Sequence, residues 1–310
     1  MNVHERRTMK TKIVKPTKII KPFDNVEIRL FGRNKGQTDW SIKDLQTSED
    51  LWGNSPQVKT YWHIDEIARD AGLKSPRVLY APSPTFDAKI ASAKEFEGKG
   101  IQYTNPEWRD QNDQFNVILG RGVKADGCDV PKGSAFWLSS ADCPTLIITD
   151  GEKVVCAHCG YKSLVDRETL WCIRGTSIRS HFSVVDAVLE QFADIDISRR
   201  VNLRAFVTLG IGPHWSEASE TELEKLVFYE GLACENPRES YRIGRKKLNI
   251  VELVRCQCLN RGIGNVRTDN NDTFTNKDEN ENFLWWSYER AMKQSPADKL
   301  KRNGVMVIYH

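Results

Sequence analysis

Residues Ser139–Ser163 read SSADCPTLIITDGEKVVCAHCGYKS. Two short runs within them, Pro144–Thr149 and Lys153–Ala157, are apolar, β-branched and bounded by turn residues, the composition of strands. Between the runs stands Asp150–Gly151, and an Asp-Gly pair so flanked is the strongest short-range signal for a tight hairpin. Closing the hairpin there puts Ser-Ala-Asp-Cys at the mouth of one strand and His-Cys-Gly-Tyr-Lys at the end of the other. Cys143 and His158 then occupy neighbouring strand ends, a thiol and an imidazole within reach of one metal or one substrate atom.

At 310 residues the chain has room for one large domain or two small ones, and for a buried core. Charged residues make up 28% and mean hydropathy is −0.53, so a soluble, cytoplasmic protein is expected. No apolar run approaches the roughly 18 residues of a membrane span, and no charged start followed by an apolar stretch marks a signal peptide. A formal charge of +3 is too small to imply a nucleic-acid partner by itself. The eight cysteines lack the density and spacing of a secreted disulfide scaffold and are expected as reduced thiols. Most of the nine tryptophans are expected in the core, where aromatic rings dominate burial.

Outward from the hairpin, residues 1–22 form a basic lead-in in which proline interrupts any helix, expected to be flexible and solvated. Val26–Phe31 alternates as a strand and enters a loop with Gly32, Arg33 and Gly36, where a guanidinium fork suits phosphate or carboxylate. Residues 64–72, IDEIARDAG, read as a short amphipathic helix stopped by its glycine. Arg77–Tyr80 reads as a strand broken by Pro82 and Pro84. Residues 86–125 show little periodicity and read as an insertion of loops and one helix, with strand character at Val117–Leu119 and Val123. Ala135–Leu138 is the strand that delivers the hairpin. Downstream, Phe182, Val185, Val188, Leu189 and Phe192 recur at helical spacing behind Ser180 as N-cap. Val201–Leu209 reads as a strand entering GIGPHW, Leu223–Glu235 and Ile250–Arg261 as helices, and Val305–Tyr309 as a closing strand. Strand, helix and strand alternate, and no composition break divides residues 23–310, expected to form one domain.

The order of motifs resembles a known family. Ser-Ala-Asp-Cys-Pro, a strand, a turn, a strand and His-Cys-Gly-Tyr-Lys are similar to the Thr-Ala-Asp-Cys-x-Pro and His-Ala-Gly-Trp-Arg-Gly segments of the YfiH-type laccase-domain family. Phe31, Arg33 and Gly36 resemble its early Thr-Arg-x-Gly-Gly loop, and Asp44–Leu45 stands where it has Asn-Leu. Leu209–Pro213 resembles its Gly-Pro turn, while Thr273, Thr275, Trp286–Arg290 and Lys301–Ile308 resemble its last motifs. The resemblance implies an α+β fold of mixed β-sheets flanked by helices in layers. It also implies a purine nucleoside phosphorylase or adenosine deaminase-like enzyme, formerly described in the family as a polyphenol oxidase, whose partners are a purine nucleoside and phosphate.

In that family the metal site takes a third ligand from a Gln-Val-His-Gly segment. Here the matching position is Thr85, or Asn116 on a second alignment, and no histidine lies between His63 and His158. A catalytic zinc takes three protein ligands and keeps a fourth position for water. Cys143 and His158 would supply two, and His214 of the Gly-Pro-His-Trp turn is the expected third; His63, Asp142 and Cys159 are the other donors. Cys143, His158 and Asp142 are the expected catalytic residues. Arg33, Lys162 and Arg290 are the expected cations for phosphate, and Tyr161 and Trp286 the walls for the base. Asp44 completes the expected substrate-binding set. Two other classes remain open: a metal-independent hydrolase with Cys143 as nucleophile and His158 as base, and a pseudoenzyme that keeps the fold and binds a nucleoside or partner.

Overall fold

The computed structural model describes residues 15–33, 39–40, 64, 66–74, 77–97, 101–103, 115–165, 182–216, 219, 221–222, 225–226 and 248–310, with 101–103 and 115–122 as backbone only. Their strands, in chain order, are β1 (Lys18–Phe23), β2 (Val26–Phe31), β3 (Arg77–Ser83), β4 (Ile90–Ala91), β5 (Ile101–Tyr103), β6 (Phe115–Lys124), β7 (Gly127–Val130), β8 (Ser134–Ser140), β9 (Thr145–Thr149), β10 (Val154–His158), β11 (Arg204–Thr208), β12 (Asn265–Thr268) and β13 (Asn303–Tyr309). They form a seven-stranded sheet, β1-β2-β13-β8-β3-β6-β5, and a six-stranded sheet, β12-β11-β9-β10-β7-β4. Both are mixed: β3 runs parallel to β6 and β8, and β11 parallel to β12, amid antiparallel neighbours.

Side-chain alternation along the strands decides what each sheet packs against. On β13, Val305 and Val307 join Phe136, Leu138, Ile147, Cys156 and Phe206 in a core between the two sheets. Met306 and Ile308 point the other way, joining Trp40, Trp137, Ile64 and Ile67, the last on the helix α1 (66–70). On β9, Leu146 and Ile148 face helices α3 (Val184–Glu190) and α4 (Ile250–Asn260). The result is helix, sheet, sheet, helix in layers, the α+β arrangement expected. Two further helices, α2 (Tyr161–Leu164) and α5 (Tyr288–Gln294), stand at the end of the sheets where Cys143 lies.

The hairpin is wider than the sequence suggests. Thr149 pairs with Val154, leaving a four-residue loop in which the Asp150 carboxylate accepts from the N–H groups of Glu152 and Lys153. The basic lead-in gives way to β1 at Lys18, whose residues pair with β2. Residues 86–125 are no insertion outside the sheets. They supply β4 to one sheet and β5 and β6 to the other, with glycines and polar residues in β6 concealing any period. β3 continues through Pro82, where the missing N–H shifts the register between Ala81 and Ser83. α3 begins later than expected, because Ser183 forms a capping box with Asp186 and leaves Phe182 exposed. Ser180, Asp44 and most of 223–235 lie outside the described residues. Cys256 is disulfide-bonded, which corrects the expectation that all cysteines are reduced; Cys128, Cys143, Cys156, Cys159 and Cys258 are free thiols.

Candidate functional site

Cys143 sits where β8 leaves one sheet and β9 enters the other. β9 runs antiparallel to both neighbours, so its start meets the ends of β10 and β11. Three contacts fix the turn between. Ser140 Oγ donates to the Cys143 carbonyl at 2.7 Å, Ile211 N–H donates to the Asp142 carbonyl at 2.8 Å, and Cys159 N–H donates to the Pro144 carbonyl at 2.8 Å. Asp142 itself has φ of 118°, a conformation that costs a non-glycine residue about 1–3 kcal/mol. Its carboxylate explains how the turn persists: Oδ1 accepts from Thr273 Oγ1 at 2.6 Å and Oδ2 from Glu289 N–H, in the first turn of α5, at 2.8 Å. Asp142 thus ties the turn before Cys143 to α5.

Burial pushes the Asp142 carboxyl up to about 6, against the hydrogen bonds from Thr273 and Glu289 that lower it. A carboxyl whose folded value lies above its ordinary one favours the fold in its neutral form. Its contribution is fully present below pH 4 and lost as pH rises through about 6, on the order of 2–3 kcal/mol. In Asp142→Asn the amide can accept from Glu289 and donate to Thr273 without carrying charge. Urea unfolding from pH 4 to 8 should therefore show wild type losing about that much relative to the variant. A pH-independent difference between the two would contradict this assignment.

His158 closes β10 and is 4% exposed. Asp126 stands before β7, which pairs Gly127 with Ala157, and its carbonyl accepts from His158 N–H at 2.6 Å. The fully buried Asp126 carboxylate accepts from Phe86 N–H at 2.9 Å and Ala88 N–H at 2.8 Å, and its Oδ1 lies 3.6 Å from His158 Nδ1, an ion-pair separation. Burial pulls the imidazole pKa down, but attraction to the Cys143 sulfur and then to Asp126 pushes it up to about 9. At 3.6 Å the Asp126 contact is an ion pair and not a hydrogen bond, and Nδ1 is buried without a hydrogen-bond partner among the described residues.

Asp142, Cys143 and Tyr161 line a small cleft with Ile211, Trp215 and Ile250. The other expected residues are placed differently. Lys162 is exposed on α2. Trp286 is 1% exposed beneath Arg33, 4.3 Å from its ring centroid, and Lys301, 4.5 Å away. Arg290 is buried and donates to the carbonyls of Thr273, Phe274 and Trp285, holding the backbone around α5. His214 stacks on Phe274 at 4.4 Å with Nε2 3.8 Å from Asp272 Oδ2. Cys159 is fully buried, and burial pushes its thiol well up. Asp126 and Phe86 escaped the sequence reading, although Asp126 opens the strand that pairs with the one ending in His158.

Among the described residues no three His, Cys, Asp or Glu side chains come together as a ligand group. Thr85, at the position of the family's histidine, donates its hydroxyl to Asp87, and the ring against His158 is that of Phe86.

The two layered sheets flanked by helices are a fold seen in solved bacterial structures. A Neisseria meningitidis protein of family DUF152 matches with a TM-score of 0.56 at 17% identity, over 94% of this chain and 97% of its own. The Bacillus licheniformis hypothetical protein YfiH matches with a TM-score of 0.57 at 15% identity, over 94% and 96%. YlmD from Geobacillus stearothermophilus matches with a TM-score of 0.56 at 14% identity, over 94% of each chain. The chain has the YfiH fold that its motif order implied. No family model and no curated protein matches it. Among the described residues, no helix is long and apolar enough to cross a membrane.

Proposed function

We propose that this chain is a thiol enzyme in which Cys143 is the nucleophile, His158 its base and acid, and Asp126 the carboxylate that orients the imidazole. The supporting observation is the buried His158–Asp126 ion pair beside Cys143, whose carboxylate is fixed by two backbone N–H groups. A buried imidazole held near a carboxylate keeps its charge, and a thiolate beside it is the attacking species. The narrow, mostly apolar cleft beside Cys143 would admit only a small acyl group, with the rest of the compound outside it. The Trp215 indole N–H is buried with no hydrogen-bond partner among the described residues, a donor for that compound's acceptor atom.

Cys143 attacks as the thiolate, its proton already on His158, and the carbonyl π pair moves to oxygen as the S–C bond forms. The C–N or C–O bond then breaks, and the leaving amine or alcohol takes the proton from His158. Water adds to the thioester with His158 as base, and the C–S bond breaks to return the thiol.

A second reading keeps the family's purine nucleoside and phosphate. One observation favours it: Arg33 and Lys301 both lie over the Trp286 ring, and Asp298 is paired with Arg33 at 3.9 Å and Lys301 at 3.0 Å. Such a cation group suits phosphate. The purified chain, assayed for bound zinc, iodoacetamide adducts, p-nitrophenyl acetate turnover and phosphate-dependent release of base from inosine and adenosine, separates the two. The thiol enzyme is expected to be alkylated at Cys143, to form an acyl adduct there and to lose both in Cys143→Ala. Stoichiometric zinc lost in that variant, with base release from a nucleoside, would overturn it in favour of the second reading.

A further inference from the structure

We propose that Phe86 is a positioning residue for His158, its ring holding the imidazole against Asp126 and beside Cys143. This rests on the thiol-enzyme reading. The Phe86 ring meets the His158 ring edge to face, with centroids 5.0 Å apart and planes at 81°. Phe86 is 44% exposed whereas His158 is 4% exposed, so an apolar ring forgoes much of its own burial to cover a buried polar one.

The backbone beneath that ring is held in a demanding shape. Phe86 has φ of 63° and Ala88 φ of 60°, the left-handed region that side chains with a Cβ rarely adopt. Both N–H groups donate to Asp126, and the Oδ1 atom that takes the Phe86 N–H is the one facing His158 Nδ1. Phe86 and His158 therefore share one carboxylate, and the segment cannot move away without disturbing it.

Gly160 supplies an independent observation. A Cβ there would lie 2.6 Å from Phe86 Cδ1 and 2.9 Å from His158 Cε1. The absence of a side chain at 160 is what lets the two rings meet. Two separate changes, Phe86→Ala and Gly160→Ala, should consequently break the same contact.

The full chain carrying Phe86→Ala, Gly160→Ala, both, or Phe86→Tyr is compared with wild type by Cys143 alkylation with iodoacetamide. In parallel, the His158 Cε1–H resonance is followed in histidine-labelled protein, assigned with His158→Ala. Phe86→Ala should slow alkylation by about ten- to a hundredfold, the cost of a misplaced catalytic group, and shift the resonance. Gly160→Ala should reproduce both effects, the double variant should be no worse than either single, and Phe86→Tyr should restore both. Unchanged alkylation and an unmoved resonance in folded Phe86→Ala would overturn the proposal. Additive losses in the double variant would also overturn it, by showing that the glycine acts elsewhere. A wild-type Cys143 no more reactive than free cysteine would instead sink the thiol-enzyme reading, while the resonance would still decide whether Phe86 holds the ring.

Discussion

Asp126→Ala is expected to destabilise the chain by about 3–5 kcal/mol and to slow Cys143 alkylation about a hundredfold. Its two oxygens accept the N–H groups of Phe86 and Ala88, and an N–H left unpaired away from water costs about 1–3 kcal/mol. The same change takes the counter-charge from His158, leaving burial, which favours the neutral imidazole, less opposed. The imidazole should then titrate well below the value of about 9 that it has now. Asp126→Asn separates the two effects. Its one remaining oxygen can serve one N–H group, so stability should fall less, whereas the loss of charge at His158 should be equal. Urea unfolding, alkylation kinetics and the His158 titration measure the three quantities. An alanine variant with wild-type stability and an unmoved imidazole would remove Asp126 from the site.

The second large effect is steric. In Gly127→Ala the new Cβ would lie 2.1 Å from the Cys156 carbonyl oxygen and 2.7 Å from the Ala157 Cα. Both are backbone atoms of β10, paired with β7 inside the sheet, so no side chain can rotate to relieve the contact. β7 must separate from β10, taking Cys128 and Val130 out of the core between the sheets and Asp126 away from His158. We expect a loss above about 4 kcal/mol, or no soluble protein, a size of effect reached by few single substitutions. Gly133→Ala is the control. With φ of 80° and nothing within 4 Å of its Cβ position, it should cost only the left-handed backbone, about 1 kcal/mol. Soluble yield and the thermal midpoint compare the two; equal midpoints would mean that β7 and β10 do not pair in this register.

The thiol and the imidazole were legible because they bracket two β-branched runs, and local composition suffices to read a hairpin. Asp126 was not legible. It reaches His158 only through the pairing of β7 with β10, and no pattern within the segment from 125 to 133 announces that partner. Phe86 depends on a left-handed backbone that its own sequence does not ask for, since Asp126 holds it from forty residues away. The same distinction separates the cations. Arg33 and Arg290 have the chemistry of a phosphate clamp, but burial commits Arg290 to carbonyl oxygens, and composition carries no record of burial. The layers followed from motif order, whereas β6 lacked the alternation that would have placed it.

β13 lies between β2 and β8, pairing with residues 26–31 on one side and 134–140 on the other. Its strand is synthesised more than 140 residues after Cys143. Until residues 303–309 have left the ribosome, β2 and β8 are unjoined sheet edges. The partly made chain carries Cys143 beside two surfaces open to pairing with other chains. Pairings so remote in sequence close slowly. Nascent chains stalled before residue 303 should therefore be more prone to aggregation than chains that include 303–309, and should acquire the reactivity of Cys143 only once that strand is in place.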